Sequence, residues 1–468
     1  MKKAGLLTSV ICAGAALLYG FKAIPDEVAP QRPNVLIIMT DQQTNDCLSL
    51  MGNPNLKTPN MDALAQRGVY FTESYCSSPV CGPSRSSVIT GRMPHETGVV
   101  WNNSAHISPS IPTLGTIFGK AGYNTAWTGK WHLPESYPAQ AGKDSVNGFK
   151  VIPFQSLDKS WELGEDTDRP IADAAVKYLK GYKDSKPFLL AVSLHNPHDI
   201  CHVPRRPDSY AKASEIKAPL PPLPPNFNPL MKEPQWLEEK RLMDHYGDEL
   251  LRTQHYSDED WRAYLYHYYR FAEMVDGEIG KIMNALREQK LDENTIIVFT
   301  SDHGDGSAAH KWAAKLSLYE EAVLIPFGIS WKGHIPEGRI DRKQLVSNID
   351  LAPTLCDYAG IPNPPAFTGT SLRKVLENPD ATLRDYVVVQ LEDDKENESR
   401  HARMIRDQRY KYNVYNQGAH NEQLFDLWND PGETKNLAYE TNYQPVKARL
   451  KKNLNQWMTK NQDSIPIP

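Results

Sequence analysis

Cys81-Gly82-Pro83-Ser84-Arg85 sets a thiol and a guanidinium four residues apart, which puts both on one face if the segment is helical. A helix starting there aims its first N–H groups at an anion. A cysteine beside a proline turn is also often a plain core residue, and the pair alone leaves that reading open. Asp41-Gln42 and Asp302-His303 offer mainly carboxylate and amide oxygens, hard donors that suit Ca²⁺ or Mg²⁺. The same side chains cap helices and shape turns, so capping stands as the alternative. Lys130 and His132 in Gly129-Lys130-Trp131-His132, His198 in Asn196-Pro197-His198, and Lys315 ahead of Tyr319-Glu320 add cations and proton carriers. Singly, each is an ordinary surface or hydrogen-bonded residue; their interest is as a set.

Elements must bring this set together. Residues 34–39, 187–194 and 295–300 are short apolar runs, the pattern of buried strands, and 122–127 is a fourth strand candidate. Helices are predicted over 61–67, 112–120 and 171–182. Another starts after the capping box Ser257-x-x-Asp260 and runs to about Glu288, with Phe271, Val275, Ile279, Ile282 and Leu286 on one face. Residues 218–225 are proline-rich and read as a loop. Strands alternating with helices predict an α/β domain with a mainly parallel sheet. Ligands then bind at the carboxyl ends of the strands, where the Asp, His and Gln clusters fall. Past about Phe367, short strands at 386–391, 404–405, 410–415 and 423–427 predict a small antiparallel unit, and the charged run 392–400 reads as a solvated loop.

Cys81 to Arg85, continued by Ser86-Ser87-Val88-Ile89-Thr90-Gly91-Arg92, resembles the signature of the type I sulfatases. The resemblance extends over roughly residues 33–437, taking in Thr58-Pro59-Asn60, Gly122-Tyr123, residues 300–304, Phe425-Asp426-Leu427 and Asp430-Pro431 in family order. It implies an alkaline-phosphatase-like α/β sandwich with a central mainly parallel sheet and a small C-terminal antiparallel sheet domain. It implies that Cys81 is oxidised to formylglycine by a maturation enzyme and sits beside a divalent cation, Ca²⁺ with Mg²⁺ as the alternative. The ligands so implied are Asp41, Gln42, Cys81 in its modified form, Asp302 and His303. Gln42 and His303 stand where many members carry Asp and Asn. The resemblance also implies that Arg85 steadies the nucleophile, Lys130 and Lys315 bind sulfate, His132 deprotonates the remaining hydroxyl, and His198 contacts the bridging oxygen as a general acid.

The net charge of −5 argues against broad nucleic-acid binding. Six scattered cysteines form no disulfide framework and no zinc spacing. Met1-Lys2-Lys3 followed by an apolar stretch to Phe21 reads as a bacterial-type signal peptide over 1–23. The expectation is a periplasmic or secreted protein without a further membrane span, with a lipid-anchored form through Cys12 as runner-up. The expected domains are catalytic, 33–366, and C-terminal, 367–468. Substrate contacts are expected from Trp101, Asn102, Asn103, His106, Arg205, Arg206, His310 and Lys311, whose aromatic and basic groups suit a sulfated sugar of glycosaminoglycan or mucin type. Three other readings of the chain are a phosphonate or phosphodiester hydrolase on the same fold, a non-catalytic protein that binds sulfated glycan, and a structural reading in which Cys81 is never oxidised.

Overall fold

The computed structural model describes residues 32–467 except 103–105, 157–162, 244–247, 363–365 and 396–397. The signal segment and Asn103 lie outside the described residues. Residues 33–468 cluster as one compact unit.

A nine-stranded sheet forms its centre. In chain order its strands are β1 (Asn34–Asp41), β2 (Val69–Phe71), β3 (Asn124–Gly129), β4 (Ser145–Val146), β5 (Phe149–Val151), β6 (Phe188–Pro197), β7 (Thr295–Ser301), β8 (Phe327–Ser330) and β9 (Arg339–Asp341). They lie in the order β9-β2-β8-β7-β1-β6-β3-β5-β4. The block β7-β1-β6-β3-β5 is parallel throughout, while β8 and β4 pair antiparallel. The mostly parallel sheet expected from the sequence is therefore present. In β1, Leu36 and Ile38 point to one face, and Val35, Ile37 and Met39 to the other. Both faces are apolar, as a parallel sheet covered on both sides requires.

Two long helices cover the Leu36/Ile38 face: α3 (Gly164–Gly181) with Ile171, Ala175 and Leu179, and α4 (Asp258–Glu288) with Val275, Ile279, Ile282 and Leu286. Ser257 caps α4 through its hydroxyl, which accepts from the Asp260 N–H at 3.2 Å. The short helix α1 (Pro59–Gln66) lies on this side too, and α2 (Cys81–Thr90) packs Val88 and Ile89 onto the opposite face. All ten residues of α2 are buried, and the helix stops at Gly91, whose φ of +64° suits glycine.

The C-terminal strands β10 (Val387–Lys395), β11 (Glu398–Arg406), β12 (Tyr410–Tyr415) and β13 (Glu422–Asp426) form an antiparallel sheet in that order. One face, with Val389, Leu391 and Met404, packs on Trp312, Tyr319 and Val323 of the main body. The other, with Ile405, Tyr412 and Leu424, is covered by Leu450, Leu454 and Met458 of α5 (Gln444–Asn461). The charged run 392–400 is not a solvated loop. Glu392, Asp393 and Arg400 are buried on the β10–β11 hairpin, where Asp393 pairs with Lys240 at 2.9 Å.

Candidate active site

Four adjacent strands deliver their chemistry to one edge. Asp302 and His303 follow β7, Asp41 ends β1, His198 follows β6, and Lys130 and His132 follow β3. The register sets Thr40 beside Ser301 and Asp41 beside Pro197, so these positions meet at the carboxyl ends of the strands. Gly129 makes the turn out of β3: its φ is +93°, and a Cβ there would stand 1.9 Å from the Ser193 carbonyl oxygen. That oxygen accepts the Lys130 N–H at 2.9 Å, and the turn carries Lys130 Nζ to 2.7 Å from Asp41 Oδ2.

Helix α2 starts with its first residue at the centre of this edge. Cys81 Sγ lies 3.1 Å from His303 Nε2 and 2.9 Å from Lys315 Nζ. The Gly82 N–H donates to Asn102 Oδ1 at 2.7 Å, closing one orphan donor of the helix start. One turn on, Arg85 donates through Nε to Asp302 Oδ2 (2.8 Å) and through Nη2 to Asp41 Oδ2 (2.6 Å). Its Nη1 donates to Lys130 O (2.9 Å) and Ser193 Oγ (2.8 Å). Arg85 therefore clamps the two carboxylates and the β3 turn, one helical turn on from Cys81.

Ligand-type atoms of Asp41, Cys81, Asp302 and His303 lie within 4.8 Å of one another. Gln42 belongs to the same locus. Its Nε2 donates to Asp305 Oδ2 at 2.8 Å, which leaves Oε1 facing Lys315 Nζ at 3.3 Å. Two carboxylates, an amide oxygen and an imidazole make a mainly hard donor set that fits a divalent cation.

The electrostatics are uneven. Burial would lift the Asp41 carboxyl, but Lys130, Arg85, His198 and Lys315 together hold it well below the usual range. Burial, then repulsion from Asp41, pushes Asp302 up to about 6. Burial and Asp41 oppose a thiolate at Cys81, yet Lys315, His303 and Lys130 outweigh them and lower its pKa well below that of a free thiol. Burial pushes His132 down, and burial with the Lys130 charge pushes His198 well down, so both imidazoles are neutral near pH 7.

Known proteins resemble this chain over nearly its whole length. The Sulfatase family model matches residues 33–361, and a model of the N-sulphoglucosamine sulphohydrolase C-terminal region matches 308–460. The chain belongs to the sulfatase family. It is 31% identical to a Delta 4,5-hexuronate-2-O-sulfatase of Bacteroides thetaiotaomicron, over 93% of this chain and 90% of that one. It is 29% identical to an ulvan-active sulfatase of Formosa agariphila, over 93% and 83% of the two chains. The solved structure of a 2-O GAG sulfatase superposes with a TM-score of 0.82 at 29% identity, covering 94% of this chain and 95% of that chain. This sulfatase is accordingly a sulfuric ester hydrolase on an alkaline-phosphatase-like fold.

A cavity of about 420 Å³ opens onto the sulfatase site. Lys130, His132, His198 and Lys315 line its inner end, and Tyr137, Gln140, His195, His202, Arg205 and Glu249 line its walls. Of the residues expected to meet substrate, Arg205 lies on this cavity, already paired with Asp248 (3.1 Å) and Glu249 (3.0 Å). The other described candidates do not line it. Trp101 is packed in the core and Asn102 is tied to the α2 start. His106 and Arg206 are exposed, Lys311 lies over the Phe227 ring, and His310 is buried in a stack on Tyr319 with centroids 4.0 Å apart. Aromatic and basic character marked them, but composition carries no direction.

His195 and His202 were overlooked, although they stand three residues before and four after His198, a spacing visible in the sequence. Ring or carboxylate neighbours fix their wall: Tyr137 bonds His195 Nδ1, and the Asp168 carboxylate accepts the Asn196 N–H at 2.9 Å. Tyr137 and Gln140, from the segment after β3, and Glu249, at the start of a short helix, gave no such signal.

Proposed function

We propose that this sulfatase releases sulfate from a short sulfated saccharide of glycosaminoglycan type, with formylglycine at position 81 and Ca²⁺ beside it. The observation that carries the reading is the surrounding of Cys81. One buried sulfur at a helix start sits 2.9 Å from an ammonium and 3.1 Å from an imidazole, at the edge where both carboxylates converge. The hexuronate-specific and GAG-active names of its relatives support a uronate-containing saccharide. A cavity of about 420 Å³ is in the size range of a small-molecule site rather than an open polymer groove.

Asp41, Gln42, Asp302 and His303 would hold the cation, which when bound draws charge from the sulfate oxygens and eases ionisation of a neighbouring hydroxyl. A formylglycine at position 81 would supply a hydrated aldehyde, a hydroxyl nucleophile toward the sulfur of the ester. Lys130 and Lys315 present their ammonium groups to the sulfate at the inner end of the cavity. They neutralise the charge that would repel an anionic attacker. His198 faces the cavity, and its Nδ1 has no hydrogen-bond partner among the described residues. It is neutral in the free enzyme, and an arriving sulfate supplies the negative charge that favours its protonation. It then gives that proton to the departing sugar oxygen. His132, neutral beside Cys81, accepts the proton of the remaining hydroxyl, so that sulfate leaves and the aldehyde returns. Residues 1–23 act as a cleaved signal, placing the enzyme in the periplasm or outside the cell; an N-terminus beginning at Met1 in the periplasmic fraction would refute that.

The test is made on protein from a host that matures sulfatases. The peptide containing Cys81 should be about 18 Da lighter than its cysteine form and react with carbonyl probes. That protein should release sulfate from 2-O-sulfated unsaturated uronate disaccharides faster than it cleaves phenylphosphonate esters, and Cys81→Ala should abolish release. Full turnover by Cys81→Ala sinks the mechanism. Faster phosphonate cleavage moves the protein to the hydrolase reading, and tight binding without turnover by fully modified protein moves it to the glycan-binding one.

A further inference from the structure

Away from the catalytic edge, the loop 308–321 meets the turn after β13 around a second group of metal-ligating side chains. A ring nitrogen of His310, a carboxylate oxygen of Glu321 and one of Glu433 lie within 4.8 Å of one another. His310 is 0% and Glu433 1% exposed. Glu321 Oε1 accepts from Asn226 Nδ2 at 2.8 Å, but its Oε2 is buried with no hydrogen-bond partner among the described residues. His310 is similarly under-satisfied among the described residues: Nδ1 has no close hydrogen-bond partner, the Asn228 backbone interacts with the ring, and Nε2 meets the Asn226 amide at 3.5 Å. Charge is also short. Lys411 Nζ serves Glu433 at 2.8 Å and Glu320 at 2.9 Å, leaving Glu321 with an amide alone. A buried carboxylate with no cation is costly, and a bound metal ion supplies what is missing.

We propose that His310, Glu321 and Glu433 form a second, structural metal site that takes zinc. An imidazole with two carboxylates suits Zn²⁺, whose bonds of about 2.0–2.2 Å would draw the three groups closer together, with Glu433 sharing its oxygens with Lys411 and the Glu320 N–H. The ion has a structural task. Ser307, Ala308, His310, Lys311, Ala314 and Leu316 all have positive φ, so the loop that presents Lys315 is held in a strained path. Binding through His310 and Glu321 on either side of Lys315, and Glu433 from the C-terminal sheet, pins both ends of that loop.

The test uses the full chain, stripped of metal, saturated with Ca²⁺ and titrated with Zn²⁺. One equivalent of zinc should bind beyond the calcium and raise Tm, and Glu321→Gln should lose that equivalent while keeping its calcium. A zinc-edge anomalous map of crystals soaked in zinc locates the ion independently of any variant, and the peak should lie among His310, Glu321 and Glu433. No zinc beyond calcium overturns the proposal. So does unchanged zinc stoichiometry in Glu321→Gln, or a peak among His195, His198 and His202 instead. None of these outcomes bears on sulfate release, which rests on the first site.

Discussion

Asp41 and Asp302 flank the same guanidinium, yet they hold protons differently. Asp41 collects Lys130 and Lys315 besides Arg85, whereas Asp302, repelled by Asp41 and desolvated, stays protonated up to about pH 6. A cation needs both as carboxylates, so it competes with a proton at Asp302. The sign follows from linkage. A carboxyl raised above its ordinary 3.8 makes the metal-free fold lose stability as pH rises through about 4 to 6, and bound metal removes that loss. The gain in Tm on adding Ca²⁺ should therefore be large at about pH 7.5 and shrink below about pH 6. A gain that stays constant across that range would refute the role of Asp302. Arg85→Lys tests the clamp. A lysine keeps the charge but cannot bridge two carboxylates, so turnover should fall about 100-fold and Ca²⁺ affinity with it. Normal Ca²⁺ affinity in the variant would return Arg85 to a direct role at position 81.

At the scale of elements, the site depends on how sharply each strand turns at its carboxyl end. Gly129 is the tightest case, with no room for a methyl group against Ser193 O and a φ that other residues avoid. Gly129→Ala should cost more than about 2 kcal/mol, read as a drop in Tm, and should lower turnover further by displacing Lys130. A variant with unchanged Tm would mean that the turn relaxes freely. Three of the four strand ends, those of β1, β6 and β7, were legible because each follows a short apolar run, as a buried parallel strand does, whereas β3 carries Asn124, Thr125 and Thr128 and was marked only as a candidate. Helix α2 was not. Its sequence alternates small and polar residues, it has no apolar stripe, and it is held by burial of all ten residues and by the Arg85 ion pairs. Strands β2, β8 and β9, which form one side of the sheet, span only three or four residues, too few to show a period. Helix α5 was missed because Leu450, Leu454 and Met458 are thin apolar marks in a highly polar stretch. The charged run 392–400 misled because buried charges look the same in a sequence as solvated ones, until their partners, such as Lys240 for Asp393, are seen.

At the scale of the whole molecule, the antiparallel sheet joins the catalytic body through both apolar packing and charge. Its inner face covers Trp312, Tyr319 and Val323, close to the loop that presents Lys315, and Arg406 of β11 pairs with Glu73. Lys411 of β12, fully buried, bridges Glu320 of the body and Glu433 beyond β13. The body and the sheet therefore share one core. A chain ending at 366 should be insoluble, because it exposes that apolar face and leaves Glu320 without its ammonium. Lys411→Met is the finer probe. Removing one partner of a buried ion pair leaves the other uncompensated, at a cost of about 3–5 kcal/mol. The loss should appear as one lowered transition, the same by circular dichroism and by tryptophan fluorescence, because sheet and body unfold together. Two separated transitions, with the catalytic one unmoved, would show instead that the C-terminal sheet is an independent domain and that its contacts with the Lys315 loop do not support catalysis.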